Sequence, residues 1–505
     1  MSGATSMHNG QPLSVLLAGL AEVDAANDRE VHGLAVDSRE ITAGDLFLAC
    51  RGASTDGSLY VQDAIAAGAI AVVFEGDIDN AVADRIPMIR VSELQQQLGL
   101  IASRFFANPS QQLFVVGVTG TNGKTSCCHF LAQALQFNGD KCGVIGTLGY
   151  GLSNALQTAT HTTPNPVVLQ SHLRAIADAG AKHVVMEVSS HALEQARVAA
   201  VAFDVAIFTN LTRDHLDYHG DLASYGAAKQ KLFEMPGLSH AVINQNDAFG
   251  MQLLTALPAG VKAVAYGLQD EPTLLSDDQL AVYGKMIRLD GAGMELHVVT
   301  SWGEGVLRSD HLLGEFNARN LLAVLAVLLL MACPLQQALT LLAQVRNADG
   351  RMERLGGTGT QPLVVVDYAH TPDALQSVLA ALRAHCRGHL WCVFGCGGDR
   401  DRGKRPLMGS VAEQFADEVI ITDDNPRSED AALIADEILA GIAQPNKVRV
   451  IHNRATAIRT ALHSAAAGDV VVIAGKGHET YQLIGEQKRP FSDRECAETI
   501  LREVA

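Results

Sequence analysis

The residues best suited to chemistry form a short run that is rich in glycine and ends in lysine and threonine. The run follows an apolar stretch typical of a buried strand and precedes a helical stretch. Glycines let backbone amides approach phosphate oxygens closely, and the N-terminus of a helix attracts anions. A lysine placed here reaches the β- and γ-phosphates of a nucleotide, and the hydroxyl after it binds Mg²⁺. The predicted phosphate site therefore consists of Gly120, Thr121, Asn122, Gly123, Lys124 and Thr125.

The spacing of this run departs from the usual phosphate loop at one position. A glycine normally stands five residues before Gly123, whereas this chain has Val118 there and carries the glycine one residue earlier, at Gly117. The strand and helix patterns on either side still favour a phosphate loop over a chance turn.

Two further sets of polar residues end or follow apolar strand patterns. Glu187 ends one such pattern and could complete a metal site, although a carboxylate in that place is as often structural. The second set is too polar for a core, which favours metal or phosphate contact over a solvated loop. Its members are Asp214, His215, Asp217 and His219.

Turn signals and hydrophobic patterns divide the chain into three predicted domains, at residues 1–111, 112–348 and 349–505. All three mix strands with helices, which predicts an α/β class, and the alternation in the third predicts a doubly wound parallel sheet. Strands are predicted at residues 33–36, 45–49, 70–74, 113–118, 182–188, 201–209, 363–366, 390–394, 418–422, 448–452 and 470–474. Helices are predicted at residues 61–67, 94–106, 321–333, 374–385, 407–415, 431–440 and 456–466.

Composition argues against several classes of protein. The net charge of −17 disfavours nucleic acid as a partner. The sequence predicts no membrane span, because it lacks an uncharged apolar stretch of about 18 residues, and the polar residues 1–14 predict no signal peptide. Nine scattered cysteines are expected to be reduced thiols, as in a cytosolic protein.

Several motifs in order along the chain resemble those of the Mur ligase family, the ATP-dependent amino-acid ligases of peptidoglycan synthesis. The loop at residues 119–125 matches the family's own variant, which accounts for the displaced glycine. The other motifs are Glu187-Val-Ser-Ser-His191, Thr209-Asn-Leu-Thr-Arg-Asp-His215, Asn317-Ala-Arg-Asn320, Asp367-Tyr-Ala-His370 and Gly475-Lys-Gly-His-Glu479. The resemblance covers nearly the whole chain and implies a UDP-binding first domain, a central P-loop ATPase-like domain and a Rossmann-like third domain.

The resemblance also implies a reaction. A substrate carboxylate attacks the γ-phosphate of ATP to give an acyl phosphate and ADP, and an amine then displaces phosphate to form an amide. Such chemistry depends mostly on positioning and on neutralising charge with lysine and Mg²⁺. The implied catalytic residues are Lys124, Glu187, His215, Lys229, Asp367 and His370. The implied metal ligands are Thr125, Glu187, His215 and Lys229 in carbamylated form.

The role of Lys229 comes from the resemblance alone. Judged by its own surroundings it is a surface lysine on a helix, and Lys231 competes with it; the family's spacing before Leu232-Phe233 favours Lys229. The resemblance further assigns ATP contacts outside the loop to Asn317, Asn320, Arg351 and Tyr368.

The first block resembles the UDP-binding domain of the tripeptide-forming members. Hydroxyls and an arginine suit the sugar and diphosphate of such a substrate. The implied contacts of the UDP-muramoyl dipeptide are Val36, Ser38, Ala53, Ser54, Thr55, His161, Thr162, Thr163, Ser189, Gln195 and Arg197.

The third block predicts the incoming amino acid. Members that add meso-diaminopimelate carry the motif Asp424-Asn-Pro-Arg427, which follows the strand pattern at 418–422. Diaminopimelate has a second carboxylate, which Arg427 can bind with two hydrogen bonds, whereas lysine would leave that arginine unpaired. The predicted contacts are Arg400, Asp424, Asn425, Pro426, Arg427, Gly475 and Glu479. The neighbouring Arg402, Lys404 and Arg405 are expected to form a solvated basic loop.

Other functions remain open at this level. A lysine-adding Mur ligase, a folylpolyglutamate synthetase-like ligase and a non-catalytic nucleotide-binding scaffold are the alternatives. The resemblance implies a cytoplasmic monomer that closes over small-molecule substrates.

Overall fold

The computed structural model describes residues 10–51, 56–76, 86–159, 161–271, 280–290, 293–357, 360–383 and 385–503. The chain forms two compact units, each built from separate stretches of sequence. The first unit consists of residues 1–117, 140–206 and 231–239, and the second of residues 118–139, 207–230 and 240–505.

The amino-terminal stretch contains a four-stranded parallel sheet in the order β3-β4-β5-β6, with an apolar core on both faces. Its central strand β4 is buried along its whole length, and helix α2 ends at Gly68 in the left-handed conformation, where glycine is favoured. The elements are β1 (Gln11–Pro12), α1 (Leu13–Leu16), β2 (Glu30–Val31), β3 (Gly33–Ala35), β4 (Asp45–Ala49), α2 (Val61–Ala67), β5 (Ala71–Phe74), β6 (Met88–Arg90) and α3 (Leu94–Phe105).

The central stretch supplies the strands of a larger, mixed sheet. The elements are β7 (Phe114–Thr119), α4 (Lys124–Phe137), β8 (Cys142–Gly146), β9 (Gly149–Leu152), α5 (Pro166–Asp178), β10 (His183–Glu187), α6 (Ser190–Glu194), β11 (Val205–Phe208), α7 (Leu216–His219), α8 (Leu222–Gln230), β12 (His240–Asn244), α9 (Ala248–Ala256), β13 (Lys262–Leu268), β14 (Leu280–Asp290), β15 (Gly293–Thr300), β16 (Gly303–Ser309), α10 (Glu315–Leu330) and α11 (Leu335–Leu342).

Strands β7 and β11 begin in the first unit and end in the second. In the first unit the strand order is β11-β7-β10-β8-β9, and in the second it is β7-β11-β12-β13-β14-β15-β16. Strands β12 to β14 pair in parallel, whereas β14 to β16 form an antiparallel meander that the sequence analysis did not predict. Helix α10 is buried along residues 320–329, as expected for a core helix.

The carboxy-terminal stretch forms the predicted doubly wound sheet, in the order β17-β18-β22-β19-β20-β21. Only β17 is antiparallel; one face is covered by α12, α13 and α14, and the other by α15 and α16. The elements are β17 (Glu353–Gly356), β18 (Leu363–Asp367), α12 (Pro372–Arg383), β19 (Leu390–Phe394), α13 (Lys404–Phe415), β20 (Glu418–Ile421), α14 (Ala431–Leu439), β21 (Arg449–Val450), α15 (Arg454–Ser464), β22 (Val470–Ala474), β23 (Tyr481–Ile484), β24 (Gln487–Pro490) and α16 (Asp493–Glu503).

The α/β class and the doubly wound third sheet are confirmed, while the three domain boundaries stay a prediction. The strand expected at 448–452 is shorter than predicted, since only Arg449–Val450 pairs with β20 and both residues are exposed. All nine cysteines are free thiols. Within the described ranges, no helix is long and apolar enough to cross a membrane.

Candidate active site

The glycine-rich loop joins β7 to α4 in a backbone conformation that requires glycine. Gly120 has φ +144°, and a Cβ there would lie 1.9 Å from the Thr209 hydroxyl oxygen. Gly123 has φ +87° at the start of α4, and its Cβ would lie 2.7 Å from Asn320 Oδ1. Both glycines therefore bring the backbone closer to its neighbours than any side chain permits.

The segment after β11 holds the loop in place. The amide of Thr121 donates to the Asn210 carbonyl at 2.8 Å, and the amide of Asn122 donates to Asn210 Oδ1 at 2.9 Å. The Thr209 hydroxyl donates to the Asn122 carbonyl at 2.6 Å. The loop is thus fixed by main-chain and side-chain bonds before the helix begins.

Two lysines share one carbonyl of this loop. Lys124 Nζ donates to the carbonyls of Gly120 and Thr121 at 2.9 and 2.8 Å, and Lys229 Nζ donates to the same Gly120 oxygen at 2.8 Å. Lys229 is 1% exposed, and its Nζ lies 4.1 Å from the ring centre of Tyr225. Burial first, and the charge of Lys124 second, hold the pKa of Lys229 well below its usual value. Lys229 is therefore a buried amine that is biased toward its neutral form, unlike the surface lysine that its sequence surroundings suggest.

Asp214 lies at the centre of a charged cluster. Its carboxylate is 3.4 Å from His215 Nε2, 3.7 Å from His370 Nε2 and 4.0 Å from Lys404 Nζ. Burial alone would raise the pKa of Asp214, but His370, His215 and Lys404 together lower it. His370 Nδ1 donates to the Tyr368 carbonyl at 2.9 Å, so Nε2 is the nitrogen that faces the carboxylate.

The other members of the predicted polar set are less enclosed. Asp217 is exposed, and His219 packs its ring at 5.1 Å from that of Tyr225. His215 takes a left-handed backbone with φ +53° at the start of α7. Among the described residues, no three His, Cys, Asp or Glu side chains are grouped as a metal site would require.

Arg351, at the start of the carboxy-terminal stretch, contacts the residue that follows the glycine-rich loop and Lys124. Its Nη2 donates to the Thr125 hydroxyl at 3.3 Å, and its guanidinium carbon lies 4.3 Å from the Tyr368 ring centre. Tyr368 in turn packs against the ring of His478 at 5.5 Å. Burial, followed by the charge of Arg351, lowers the pKa of His478 to about 4, so this imidazole is neutral at physiological pH.

Asp367 ends strand β18 and is buried. Its two oxygens accept hydrogen bonds from the amides of Met352 and Ala369, both at 2.7 Å. Burial raises the pKa of Asp367, and the nearby Arg351 charge and the two amides oppose this shift. The carboxylate consequently fixes the backbone on both sides of the Arg351–Tyr368 contact.

A cavity of about 310 Å³ lies beside the glycine-rich loop, and the predicted ATP residues Asn317 and Asn320 line it. Both belong to the first two turns of α10, and Asn317 Nδ2 donates to the Leu313 carbonyl at 2.9 Å. Asp373, which the sequence analysis did not select, also lines the cavity and accepts from Asn122 Nδ2 at 3.3 Å. The sequence signal that could have identified Asp373 is its place directly after Thr371-Pro372, in the first turn of α12.

Glu187 lies in the first unit, at the end of β10, and is 2% exposed. Its carboxylate accepts from the amide and the hydroxyl of Thr147 at 2.7 and 3.2 Å. Its carbonyl accepts from the Thr163 hydroxyl at 2.8 Å. A Cβ at Gly146 would lie 2.5 Å from Glu187 Oε1, so glycine leaves space for the carboxylate.

The first unit also contains a cavity of about 860 Å³. Arg197 extends along one side, where Nη1 donates to the Thr163 carbonyl at 2.8 Å and Nε donates to Gln195 at 3.0 Å. The predicted UDP-substrate residues that line this cavity are Val36, Ser38, His161, Gln195 and Arg197.

Other residues of the predicted UDP set have different surroundings. The Thr162 hydroxyl lies 3.1 Å from that of Thr147, and Ser189 Oγ accepts from the amide of Ala192 as the cap of α6. Neither these two nor Thr163 lines the cavity. The predicted contacts at Ala53, Ser54 and Thr55 lie outside the described residues.

Arg427 lies in a strained turn above the carboxyl edge of the third sheet. Its φ is +53°, and its amide and carbonyl bond to the β23–β24 hairpin at 3.0 and 2.7 Å. Its Nη1 donates to the Gly398 carbonyl at 2.7 Å, and a Cβ at Gly398 would lie 1.8 Å from the Pro426 carbonyl. Burial and the neighbouring Arg400 charge lower the pKa of Arg427. Both arginine side chains adjoin Gly397, where a Cβ would lie 2.8 Å from Arg427 Nη1 and 3.8 Å from Arg400 Cγ.

A buried lysine organises the acidic side of the same edge. Lys476 is fully buried and donates to Asn425 Oδ1 at 3.1 Å and to Glu479 Oε2 at 2.7 Å. Asn425 Nδ2 donates to the same Glu479 oxygen at 2.8 Å. Asp424 is buried nearby, and a Cβ on Gly475 would lie only 2.5 Å from its Oδ2. Lys476 was missed as a site residue, although it lies inside the motif that the sequence analysis quoted.

The prediction of a solvated basic loop at Arg402, Lys404 and Arg405 is wrong for Lys404 and Arg405, which are buried. Arg402 is exposed and pairs with Glu437. Arg405 is fully buried and bonds to Glu429 at 2.8 Å and Glu437 at 2.7 Å, while Lys404 is 5% exposed. Both belong to the first turn of α13, because that helix begins three residues earlier than predicted.

Two chain segments meet at a pair of glycines, Gly350 and Gly477. A Cβ at Gly350 would lie 2.0 Å from the amide nitrogen of His478, and one at Gly477 would lie 2.6 Å from the Gly350 carbonyl. Both glycines have positive φ, +66° and +53°. The start of the carboxy-terminal stretch and the loop after β22 are thus in direct backbone contact.

Comparison with protein families gives matches along most of the chain. Residues 118–328 match the model of the Mur ligase middle domain. Residues 350–477 match that of the Mur ligase, glutamate ligase domain, and residues 30–106 that of the Mur ligase family, catalytic domain.

Curated relatives and a solved structure agree with these matches. The UDP-N-acetylmuramoyl-L-alanyl-D-glutamate–2,6-diaminopimelate ligase of Ectopseudomonas mendocina is 52% identical over 464 residues, covering 92% of this chain and 93% of the relative. The protein of the same name from Coxiella burnetii is 48% identical over 495 residues, covering 98% and 100%. A solved structure with that name has a TM-score of 0.69 at 35% identity and covers 98% of this chain and 99% of its own.

Proposed function

Because this chain belongs to the Mur ligase family, we propose that it is the ATP-dependent ligase that joins meso-2,6-diaminopimelate to UDP-N-acetylmuramoyl-L-alanyl-D-glutamate. The bond formed is an amide between the D-glutamate carboxyl group and an amine of diaminopimelate. The product is a precursor of peptidoglycan.

The observation that carries this choice of amino acid is the environment of Arg427. Its guanidinium is half-buried beside Arg400, while Asp424 and Glu479 supply negative charge along the same edge. A zwitterionic group at the far end of diaminopimelate supplies a carboxylate for the arginines and an ammonium for the acids. Lysine has the amine but lacks the second carboxylate, so it would leave the arginine side of the site without a counter-charge.

The phosphate loop and its neighbours suit the ATP half of the reaction. The amides at the N-terminus of α4 and the amine of Lys124 bind and neutralise phosphate oxygens while the D-glutamate carboxylate attacks the γ-phosphorus. ADP leaves and an acyl phosphate remains. The amine then adds to the acyl carbon, and the tetrahedral intermediate collapses with release of phosphate. Asn317 and Asn320 contact the nucleotide from the adjoining cavity.

The chemistry of the predicted donors fits Mg²⁺ better when Lys229 is carbamylated than when it is an amine. Mg²⁺ prefers oxygen ligands, and within the second unit the predicted set offers the Thr125 hydroxyl, the His215 imidazole and Lys229. The neutral amine of Lys229 is the form that adds to CO₂, and after loss of one proton the carbamate has two oxygens that share a single negative charge. Glu187, in the first unit, is the carboxylate of the predicted set. When bound, Mg²⁺ would neutralise charge that develops on the transferred phosphoryl group.

The first unit suits the UDP-muramoyl dipeptide. Its cavity of about 860 Å³ is large enough for much of a nucleotide sugar, and it combines the Ser38 hydroxyl with the Arg197 guanidinium. We also propose that the protein acts as a cytoplasmic monomer on small-molecule substrates.

Phosphate release measured with ATP, the UDP-dipeptide and either diaminopimelate or lysine tests the function. We expect turnover with diaminopimelate, and a preference for lysine would instead identify a lysine-adding ligase. The Arg427→Ala variant should raise the KM for diaminopimelate about 10- to 150-fold, as expected when a charged hydrogen bond of about 1.5–3 kcal/mol is lost. The exposed Arg449 is a matched control, and Arg449→Ala should leave this KM unchanged.

A thermal-shift measurement separates this proposal from its other rivals. Binding of the UDP-dipeptide should raise the melting temperature. A folylpolyglutamate synthetase-like ligase or a nucleotide-binding scaffold would give no shift with this ligand.

A further inference from the structure

One buried ion pair lies outside the residues to which a role has been given. Arg454, the first residue of α15, and Asp493, the first residue of α16, both have fully buried side chains. The guanidinium donates from Nε to Oδ1 at 2.6 Å and from Nη2 to Oδ2 at 2.7 Å. This two-bond geometry fixes the plane of the guanidinium.

The same guanidinium also bonds to two main-chain carbonyls. Nη2 donates to the Ala474 carbonyl at 2.9 Å, and Nη1 donates to the Asp423 carbonyl at 3.4 Å. Ala474 is the residue before Gly475, and Asp423 is the residue before Asp424. Arg454 therefore bridges the starts of the two loops that carry the proposed diaminopimelate contacts.

The space between these two loops is narrow. A Cβ on Gly475 would lie only 2.5 Å from Asp424 Oδ2. A small shift of either loop therefore changes the contact between Gly475 and Asp424. Asp424 is also buried, which raises the pKa of its carboxyl group, and Arg454 and Lys476 are the two cations that oppose that shift most strongly. Arg454 thus acts on both the position and the charge of Asp424.

We propose that Arg454, held in orientation by Asp493, is a positioning residue that sets the spacing of the two amino-acid-binding loops. Arg454 lines neither of the two cavities proposed for ATP and the UDP-substrate, so its effect is confined to the binding of the incoming amino acid. This inference rests on the proposed function, because it assigns the two loops to diaminopimelate.

The Arg454→Lys variant tests the proposal. A single ammonium group cannot bond to both carbonyls and to both carboxylate oxygens at once. We expect the KM for diaminopimelate to rise about tenfold or more, since displacement of binding groups by an ångström has effects of that size. The KM values for ATP and the UDP-dipeptide should stay within about twofold of wild type.

Arg459 supplies the matched control. It lies on the same helix and pairs with Glu503 of α16, but at the exposed end of that contact. Arg459→Lys should leave all three KM values unchanged. Equal changes in all three for Arg454→Lys, or none in any, would overturn the proposal.

A second variant covers a failure of Arg454→Lys to fold. Asp493→Asn keeps the shape of the pair but removes its negative charge, and it should also raise the KM for diaminopimelate selectively. If neither variant folds, the pair belongs to the core and the proposal is wrong. If the wild-type protein releases no phosphate with diaminopimelate, the proposed function is wrong. The effect of Arg454→Lys on the KM of the amino acid that the protein does accept then decides whether Arg454 is a positioning residue.

Discussion

Replacing Lys229 by methionine is expected to make the protein more heat-stable and inactive. Methionine has the length to fill the space against Tyr225 and carries no charge into the core. Activity should be lost because the amine that would form the carbamate is gone. The expected pairing of higher stability with lost function is typical of a residue kept for chemistry rather than for folding.

The size of the effect follows from the shared Gly120 carbonyl. Lys124 and Lys229 each bond to it, at 2.9 and 2.8 Å. The folded protein therefore either holds the amine of Lys229 neutral, which costs about 4–5 kcal/mol at pH 7 relative to a free lysine, or holds two positive charges about 4–5 Å apart, which repel by about 3–4 kcal/mol at an effective dielectric constant near 20. Methionine removes this cost, and forfeits a hydrogen bond worth about 1–2 kcal/mol and a ring contact worth under about 1 kcal/mol. For the unmodified lysine the balance is a gain of about 1–2 kcal/mol, or about 2–3 °C in Tm for the second unit of roughly 310 residues.

Differential scanning fluorimetry and phosphate release measure the two quantities on the same preparations. The exposed Lys231, which pairs with Glu194, supplies the control, and Lys231→Met should leave both Tm and activity near wild type. A Tm several degrees below wild type for Lys229→Met would show that Lys229 stabilises the fold. Activity near wild type would rule out its predicted part in catalysis.

Three other variants test separate parts of the site. Gly120→Ala should abolish the rise in Tm that ADP causes, because its Cβ would lie 1.9 Å from a threonine oxygen, whereas Gly139→Ala, with nothing within 4 Å, should keep it. Asp214→Asn should be less stable than wild type at neutral pH. Because the pKa of this carboxyl is lowered on folding, its contribution to the free energy of unfolding is lost progressively as the pH falls below about 4. Urea titrations at several pH values should therefore show the unfolding free energies of the two proteins converging toward low pH. Arg405→Met removes the buried cation from Glu429 and leaves Glu437 paired with the exposed Arg402, and it should lower the unfolding free energy by about 1–3 kcal/mol, measured by urea denaturation; an unchanged midpoint would contradict the contacts described.

The strands of the third sheet could be predicted closely from sequence. Strands β19 and β22 have the predicted bounds because a parallel strand covered on both faces is apolar along its whole length. Helix starts were less accurate. Helix α15 begins at Arg454 rather than 456, because Asn453 Oδ1 accepts from the amide of Thr456 and caps the helix two residues earlier. A cap of this kind depends on one side-chain hydrogen bond, which periodicity does not show.

The candidate site also has parts that the sequence predicts and parts that it does not. The spacing of glycine, lysine and threonine predicts a phosphate loop from local sequence, and the structure gives Gly120 and Gly123 positive φ, but the binding of phosphate there stays a prediction. The burial of Lys229 was not predictable from its own helix. The ring of Phe249 packs against Gly226 of that helix, where a Cβ would lie 2.8 Å from the ring. Arg405 was misjudged because its partner Glu437 lies 32 residues away on another helix. Long-range contacts of this kind need the tertiary structure.

The contact between Gly350 and Gly477 has a consequence for how mutational data on this protein are interpreted. Any side chain at either position meets backbone atoms of the other segment, at 2.0 Å for Gly350 and 2.6 Å for Gly477. A scan of all single substitutions would therefore record both positions as intolerant. Such a map would give these glycines the same score as residues that bind substrate, although neither has a side chain that could do so. Separating the two causes requires a binding assay on each folded variant, in addition to a growth readout.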